Sequence, residues 1–198
     1  MGKNFKLRKD LSIEFMGRKL FRIECVKEIK EKHISVGDIG GYIEKENNVS
    51  GNAWVYGNAK VYGNAKVYGN AKVYGNAEVY GNAWVYGNAK VYGDAKVYGD
   101  AEVSGNAEVY GDAKVYGNAK VYGDKIETSH DVLNITSNSQ YNITITPKFI
   151  KIGCQFHTKK AWWNFKDSEI EKMDGENALS FWKKWKPILQ AICDEKEL

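Results

Sequence analysis

Hydrophobic and polar residues alternate along this chain in short bursts, and between Val49 and Asp124 the bursts recur every six residues. One unit reads Val61-Tyr62-Gly63-Asn64-Ala65-Lys66, and the next reads Val67-Tyr68-Gly69-Asn70-Ala71-Lys72. In Ala65-Lys66-Val67-Tyr68, strand alternation puts Ala65 and Val67 on one side and Lys66 and Tyr68 on the other. Gly69-Asn70 then supplies turn chemistry: Gly accepts positive φ freely, and Asn or Asp tolerates the left-handed region better than other residues. Each hexad therefore predicts a very short strand followed by a sharp corner. A hairpin array needs longer strands between its turns, whereas a coil with three flat sides needs only this.

An aliphatic residue at every sixth position with a small residue four later, as in Val61 and Ala65 or Val67 and Ala71, resembles the left-handed β-helix of hexapeptide-repeat proteins. The resemblance covers about fourteen hexads, counting Ile43-Glu44-Lys45-Glu46-Asn47-Asn48 as a degenerate first unit. It implies three hexads per turn and roughly four to five coils, stacked at about 4.8 Å per strand. Residues one turn apart then stack on a common face. One face places Trp54, Lys72, Lys90 and Glu108 beside Tyr56, Tyr74, Tyr92 and Tyr110. A second places Lys60, Glu78, Lys96 and Lys114 beside Tyr62, Tyr80, Tyr98 and Tyr116. The third places Lys66, Trp84, Glu102 and Lys120 beside Tyr68, Tyr86, Ser104 and Tyr122. Outward Tyr ladders stabilise such a stack by about 0.2–1 kcal/mol per pair, and mixed Lys and Glu keep its surface soluble.

Departures from the repeat mark the candidate site. Trp54 and Trp84 stand where most units have Lys, and Ser50 and Ser104 where most have Tyr. Ser104 is expected one coil beyond Tyr86, beside Trp84 and Glu102, leaving a notch walled by aromatics where a ligand or partner side chain could anchor. Trp54, Tyr56, Trp84, Tyr86, Glu102 and Ser104 are therefore the candidate ligand- or partner-binding residues. The plainer alternative is that each Trp simply extends a ladder.

The flanks lack the hexad. Ile13 and Phe15, then Leu20, Phe21, Ile23 and Val26, flank a Gly17-Arg18 turn signal and predict a hairpin over Ser12–Val26. The Gly40-Gly41 pair permits a tight backbone path over the first coil. Residues 1–42 thus read as an N-terminal cap, 43–126 as the array and 127–198 as an α+β cap closing the open end of the solenoid. In that last part a polar loop spans 129–140. The alternating Tyr141–Thr146 predicts a strand, Pro147-Lys148 a turn and Phe149–His157 its partner. Ser168-Glu169-Ile170-Glu171 reads as a helix capping box. Ala178, Leu179, Trp182, Trp185, Ile188, Leu189 and Ile192 follow at helical spacing, and Pro187 predicts a break or kink near Lys186. Trp162-Trp163 and Trp182/Trp185 read as cap core. The fold class expected is an all-β solenoid, a left-handed parallel β-helix, with a small α+β C-terminal cap.

The residues Phe21-Arg22-Ile23, Val36 to Asn47 and Trp54-Val55-Tyr56-Gly57-Asn58-Ala59 also resemble a group of hexapeptide-repeat proteins common in bacteriophages and prophages. That resemblance implies a phage or mobile-element origin without an assigned reaction. It also implies action by binding a host protein or its small signalling molecule in the bacterial host cytoplasm, with neutralisation of a host defence component as the expected outcome.

Composition narrows the alternatives. The 198 residues carry 43% hydrophobic content and a net charge of +4, and residues 1–42 hold ten Lys/Arg against six Asp/Glu, too diffuse for a nucleic-acid stripe. No apolar run approaches a membrane span, Met1–Asp10 lacks a signal-peptide core, and Asp194-Glu195-Lys196-Glu197-Leu198 is no retention signal without one. Cys25, Cys154 and Cys193 do not make a disulfide framework, and scattered His and Cys show no metal-ligand spacing, so neither metal nor cofactor is expected. Cys154 and His157 fall on opposite faces of a regular strand, which argues against a thiol nucleophile with its base and for Cys154 as a small buried hydrophobe. Many hexapeptide-repeat proteins that this array resembles are acyltransferases with a His base. His33, His130 and His157 all lie outside the array and no loop interrupts it, so a non-enzymatic role is expected and an acyltransferase at a subunit interface is the alternative. Flat Tyr-lined faces also suit homo-oligomers.

Overall fold

The computed structural model describes residues 3–135 and 140–195. Part of the polar loop, 136–139, and the last residues of the terminal acidic run, 196–198, therefore lie outside the described residues. The chain divides into two compact units, one up to His130 and one from Asp131.

The first unit is a parallel β-solenoid, and the hexad explains its geometry unit by unit. Most repeats contribute a two-residue strand such as Lys66–Val67, Lys72–Val73 or Glu78–Val79, and Glu102–Ser104 and Lys120–Tyr122 are one residue longer. Strands one coil apart pair in parallel, as in Lys72 with Lys90 and Lys96 with Lys114, so the expected three-face stacking is observed. The inward Ala and Val side chains are almost fully buried throughout the array, and this column of small and β-branched residues is its core. Outside, the Tyr rings stack: Tyr62–Tyr80 at 5.0 Å, Tyr68–Tyr86 at 4.9 Å and Tyr74–Tyr92 at 4.7 Å between centroids.

At the corners Gly and Asn divide the work differently from the sequence expectation. Gly75 holds φ at 70°, and a Cβ there would lie 3.0 Å from the backbone nitrogen of Gly93 one coil on. Among the described residues the non-glycine positions with positive φ are Met16 and His33, so no Asn enters the left-handed region. Asn76 instead donates its backbone N–H to the Gly93 carbonyl at 2.8 Å and its side-chain amide to Asp94 Oδ1 at 3.1 Å. Because Gly alone absorbs the turn, the Asn side chain is left free to form a hydrogen-bonded ladder that satisfies corner polar groups.

The N-terminal segment joins the solenoid as an antiparallel extension of one face. Strand β1 (Phe5–Phe15) pairs with β2 (Arg18–Cys25), β2 pairs with β3 (Ile39–Ile43), and β3 pairs in parallel with Lys60–Val61. The turn is Met16-Gly17, with φ of 48° and 70°, the positive pair that a two-residue hairpin loop favours. Gly40 and Gly41 are required by close approach. A Cβ at Gly40 would stand 2.6 Å from the Val55 carbonyl oxygen, and one at Gly41 2.6 Å from Val55 Cγ1. At the other end the repeat loses one residue. Asp124 takes the place of Ala and accepts the Glu108 N–H at 2.8 Å, and Lys125 pairs with Glu108.

The second unit is a four-stranded antiparallel sheet, Leu133–Ile135, Ile143–Ile145, Phe149–Ile152 and Gln155–Thr158 in chain order, with helices α1 (Lys159–Asn164) and α2 (Asp167–Glu195). The partner strand expected over Phe149–His157 is two strands, because Gly153 at φ 56° folds the chain there. That turn leaves Cys154 exposed, against its expected burial. Helix α1 starts on Thr158, whose Oγ1 accepts the Ala161 N–H at 3.1 Å. Helix α2 starts earlier than the expected box: Lys166 donates its N–H to Glu169 Oε2 at 2.9 Å, so the reciprocal contact falls two residues upstream. Its break is at Asp174–Gly175 rather than near Pro187. Gly175, with φ 62° and ψ −150°, takes a conformation that is essentially glycine's alone. Beyond Pro187, burial of Leu189 and Cys193 holds the last turns, while Ile188, expected inside, is exposed. The core contains Ile143, Ile145, Ile150, Trp162 and Trp182, with Trp162 donating its indole N–H to the Ile150 carbonyl at 2.7 Å.

Candidate functional site

The array places the predicted site residues on two different faces. On one, Lys66, Trp84, Glu102 and Lys120 follow in strict register. Trp84 is 41% exposed, with Lys66 Nζ 5.5 Å from its ring centroid and Tyr68 edge-on at 6.1 Å. Tyr86 stacks on Tyr68 and donates its hydroxyl to Glu102 Oε2 at 3.2 Å, while Glu102 Oε1 pairs with Lys120 at 2.5 Å. Trp84, Tyr86 and Glu102 are thus brought together, with the indole presented and the carboxylate held by two partners.

Ser104 does not complete an open notch there. It pairs in register with Tyr122 and is buried. The Tyr122 ring lies against Gly105 so closely that a Cβ on Gly105 would come 2.7 Å from Tyr122 Cε2. The ring one coil on thus leans over Gly105, with Ser104 buried beside it.

Trp54 is not on the surface. It is 2% exposed. The segment between β2 and β3 covers it: Lys32 donates to the Asn52 carbonyl and feels the charge of Lys72, the ladder neighbour of Trp54. Burial and that like charge push the Lys32 amine down from its ordinary range. Tyr56 is half-buried beside it and meets Tyr74 edge-on at 6.4 Å, the one departure from parallel stacking among the Tyr ring pairs described. Desolvation raises the Tyr56 hydroxyl. Trp54 and Tyr56 therefore stand on a different face from the Trp84 group.

None of the three histidines stands on a coil strand. His33 ends a 3-10 turn at φ 54°, and His130 lies in another, Ser129–Asp131. His157 packs edge-on against Trp162 at 5.2 Å and Phe165 at 5.0 Å, with its Nε2 3.2 Å from Gln155 Oε1. Burial lowers its affinity for a proton. Its ring serves the core, and its nitrogen faces Gln155 rather than a thiol. Among the described residues no cluster of His, Cys, Asp and Glu could hold a metal ion, and no helix is long and apolar enough to cross a membrane.

Sequence reasoning missed a recess of about 250 Å³ within the second unit, walled by Tyr141, Trp162, Phe181 and Trp182 and edged by Cys154 and Asp174. Tyr141 and Phe181 meet edge-on, 4.9 Å apart and 87° between planes. The Tyr141 hydroxyl donates to Asp174 Oδ2 at 2.5 Å, and this bond to a carboxylate pushes the phenol up to about 12. The contributing residues come from a loop, a turn, α1 and both halves of α2, so no local spacing announced them.

A family model described as YdcK Beta solenoid repeat matches residues 71–87, within the array. Among curated proteins no match to the chain is found.

Proposed function

We propose that this protein acts by binding rather than by catalysis, and that the Trp84 face of its solenoid is the docking surface. The single observation that carries the reading is Trp84 itself. A 41% exposed indole stands where most repeats carry Lys or Glu, beside Tyr68, Lys66 and the Tyr86–Glu102–Lys120 network. A rigid, exposed aromatic flanked by hydrogen-bonded polar groups costs little ordering on association, and such residues dominate interface energetics. The partner is a protein surface with an apolar hollow for the indole and an acidic group for Lys66.

The phage-type resemblance of Phe21-Arg22-Ile23 and Val36–Asn47 supports a host protein as that partner, met in the bacterial cytoplasm. A defence protein so occupied is neutralised without any reaction. The test is affinity isolation from host lysate with the wild type and with Trp84→Ala/Tyr86→Ala. A stoichiometric partner retained by the first and weakened by at least about 30-fold with the second is expected, with unchanged far-ultraviolet circular dichroism. A partner that binds both equally refutes this face as the docking surface.

A further inference from the structure

The aromatic recess of the second unit has a chemistry independent of the Trp84 face. Four ring-bearing walls, Tyr141, Trp162, Phe181 and Trp182, converge on it. The Tyr141 and Phe181 rings meet edge-to-face at 4.9 Å and together close one side of the recess. Among the described residues lining the recess, Asp174 is the one charged group, and it is a carboxylate. It is held at the rim twice over, by the Tyr141 hydroxyl and by the helix break at Asp174–Gly175, whose backbone only glycine adopts readily. Cys154 and Gln155 add neutral polar atoms and no positive charge. An aromatic lining with a fixed anion at the mouth attracts a cation whose own surface is apolar, and an ordinary hydrated ammonium loses too much water to enter.

We propose that this recess binds a small free methylated ammonium compound, with the methyl groups against Tyr141 and Phe181 and the charge facing Asp174. Size agrees with this class: about 250 Å³ lies below the roughly 300 Å³ at which pockets for drug-sized ligands begin. Charge separates the free compound from a phosphocholine headgroup, because the headgroup phosphate would follow its ammonium to the mouth and meet Asp174 there.

The experiment uses the full chain and calorimetric titration with choline, with its neutral isostere 3,3-dimethylbutan-1-ol, and with phosphatidylcholine vesicles. Choline is expected to bind at least about tenfold more tightly than the isostere. Asp174→Asn and Phe181→Leu are each expected to weaken choline about tenfold. Equal binding of the isostere, or unchanged binding by Asp174→Asn, overturns the proposal in favour of a merely apolar hollow. Binding of vesicles without binding of choline overturns the free-compound assignment, and no choline binding by the folded wild type overturns it outright. Because the wild-type comparison needs no variant, a variant that fails to fold leaves the test decisive.

Discussion

Trp54 and Trp84 occupy the same position in their hexads and have opposite fates. Alternation correctly turns both indoles away from the Ala and Val core, but alternation says nothing about what else lies on that side. The covering segment reaches Trp54 from a stretch between β2 and β3 whose only strong local signals are turns. Substitution should separate the two. Trp54→Ala removes a fully buried indole and is expected to destabilise by about 3–5 kcal/mol. Trp84→Ala loses mainly ring-edge and cation contacts and is expected to cost about 1 kcal/mol or less. Urea denaturation of the two variants measures the contrast, and equal losses would mean that Trp54 is not sealed. Ser104 teaches the same lesson in reverse: its small side chain was legible, but the lean of the Tyr122 ring onto Gly105 was not.

Elements were legible where one periodicity governed them and obscure where a single residue overruled it. Hexads gave strands and corners in register because Val, Gly and Ala repeat without exception from Val49 to Gly123. In the second unit Gly153 splits a clean alternating run into two strands, and Gly175 breaks α2 while the helix continues through Pro187. The recess arises from those same interruptions, since Gly153-Cys154 and Asp174-Gly175 bring its rim residues in.

The ladders also make the array pH-sensitive at both extremes. Desolvation raises the hydroxyls of Tyr68, Tyr74 and Tyr80, and that of Tyr92 reaches about 12 beside Glu108. A raised tyrosine means the folded state keeps its proton longer than the unfolded chain, so this stability is fully present below pH ~10 and lost as pH rises towards 12. Absorbance titration of tyrosinate should therefore trail the ordinary tyrosine range and then climb steeply with loss of circular dichroism. On the acid side, the hydrogen bond from Lys90 lowers the Glu108 carboxyl. A lowered carboxyl contributes stability above its unfolded value and loses it as pH falls below about 4.5. Lys90→Met is expected to flatten that acid-side decline in melting temperature, and a profile parallel to wild type would remove the pair from the account.

At the scale of the whole molecule, the first unit is held together by contacts between neighbouring coils, and its stability should behave as a sum over them. The chain itself shows what one missing residue does. At Asp124 the repeat shortens, a carboxyl-bearing residue enters the Ala position, and the parallel stack goes no further than Lys125–Ile126. An insertion within the array should therefore be tolerated only if it respects the period. Three added copies of Val-Tyr-Gly-Asn-Ala-Lys after Lys72 supply one full coil, with every face, Tyr ladder and Asn ladder continued. That variant is expected to fold, with a urea m-value raised in proportion to the added buried surface and a midpoint at or above that of the wild type. Adding only Val-Tyr-Gly at the same site shifts the pattern by half a hexad, so the residues following the insertion would set Asn against Val and Tyr against Ala in the coil before. That chain is expected to lose cooperative unfolding, because a register error exposes the whole downstream hydrophobic column. If the half-hexad variant kept a single sharp transition, the core would not depend on coil-to-coil register, and the additive picture of the solenoid would fail.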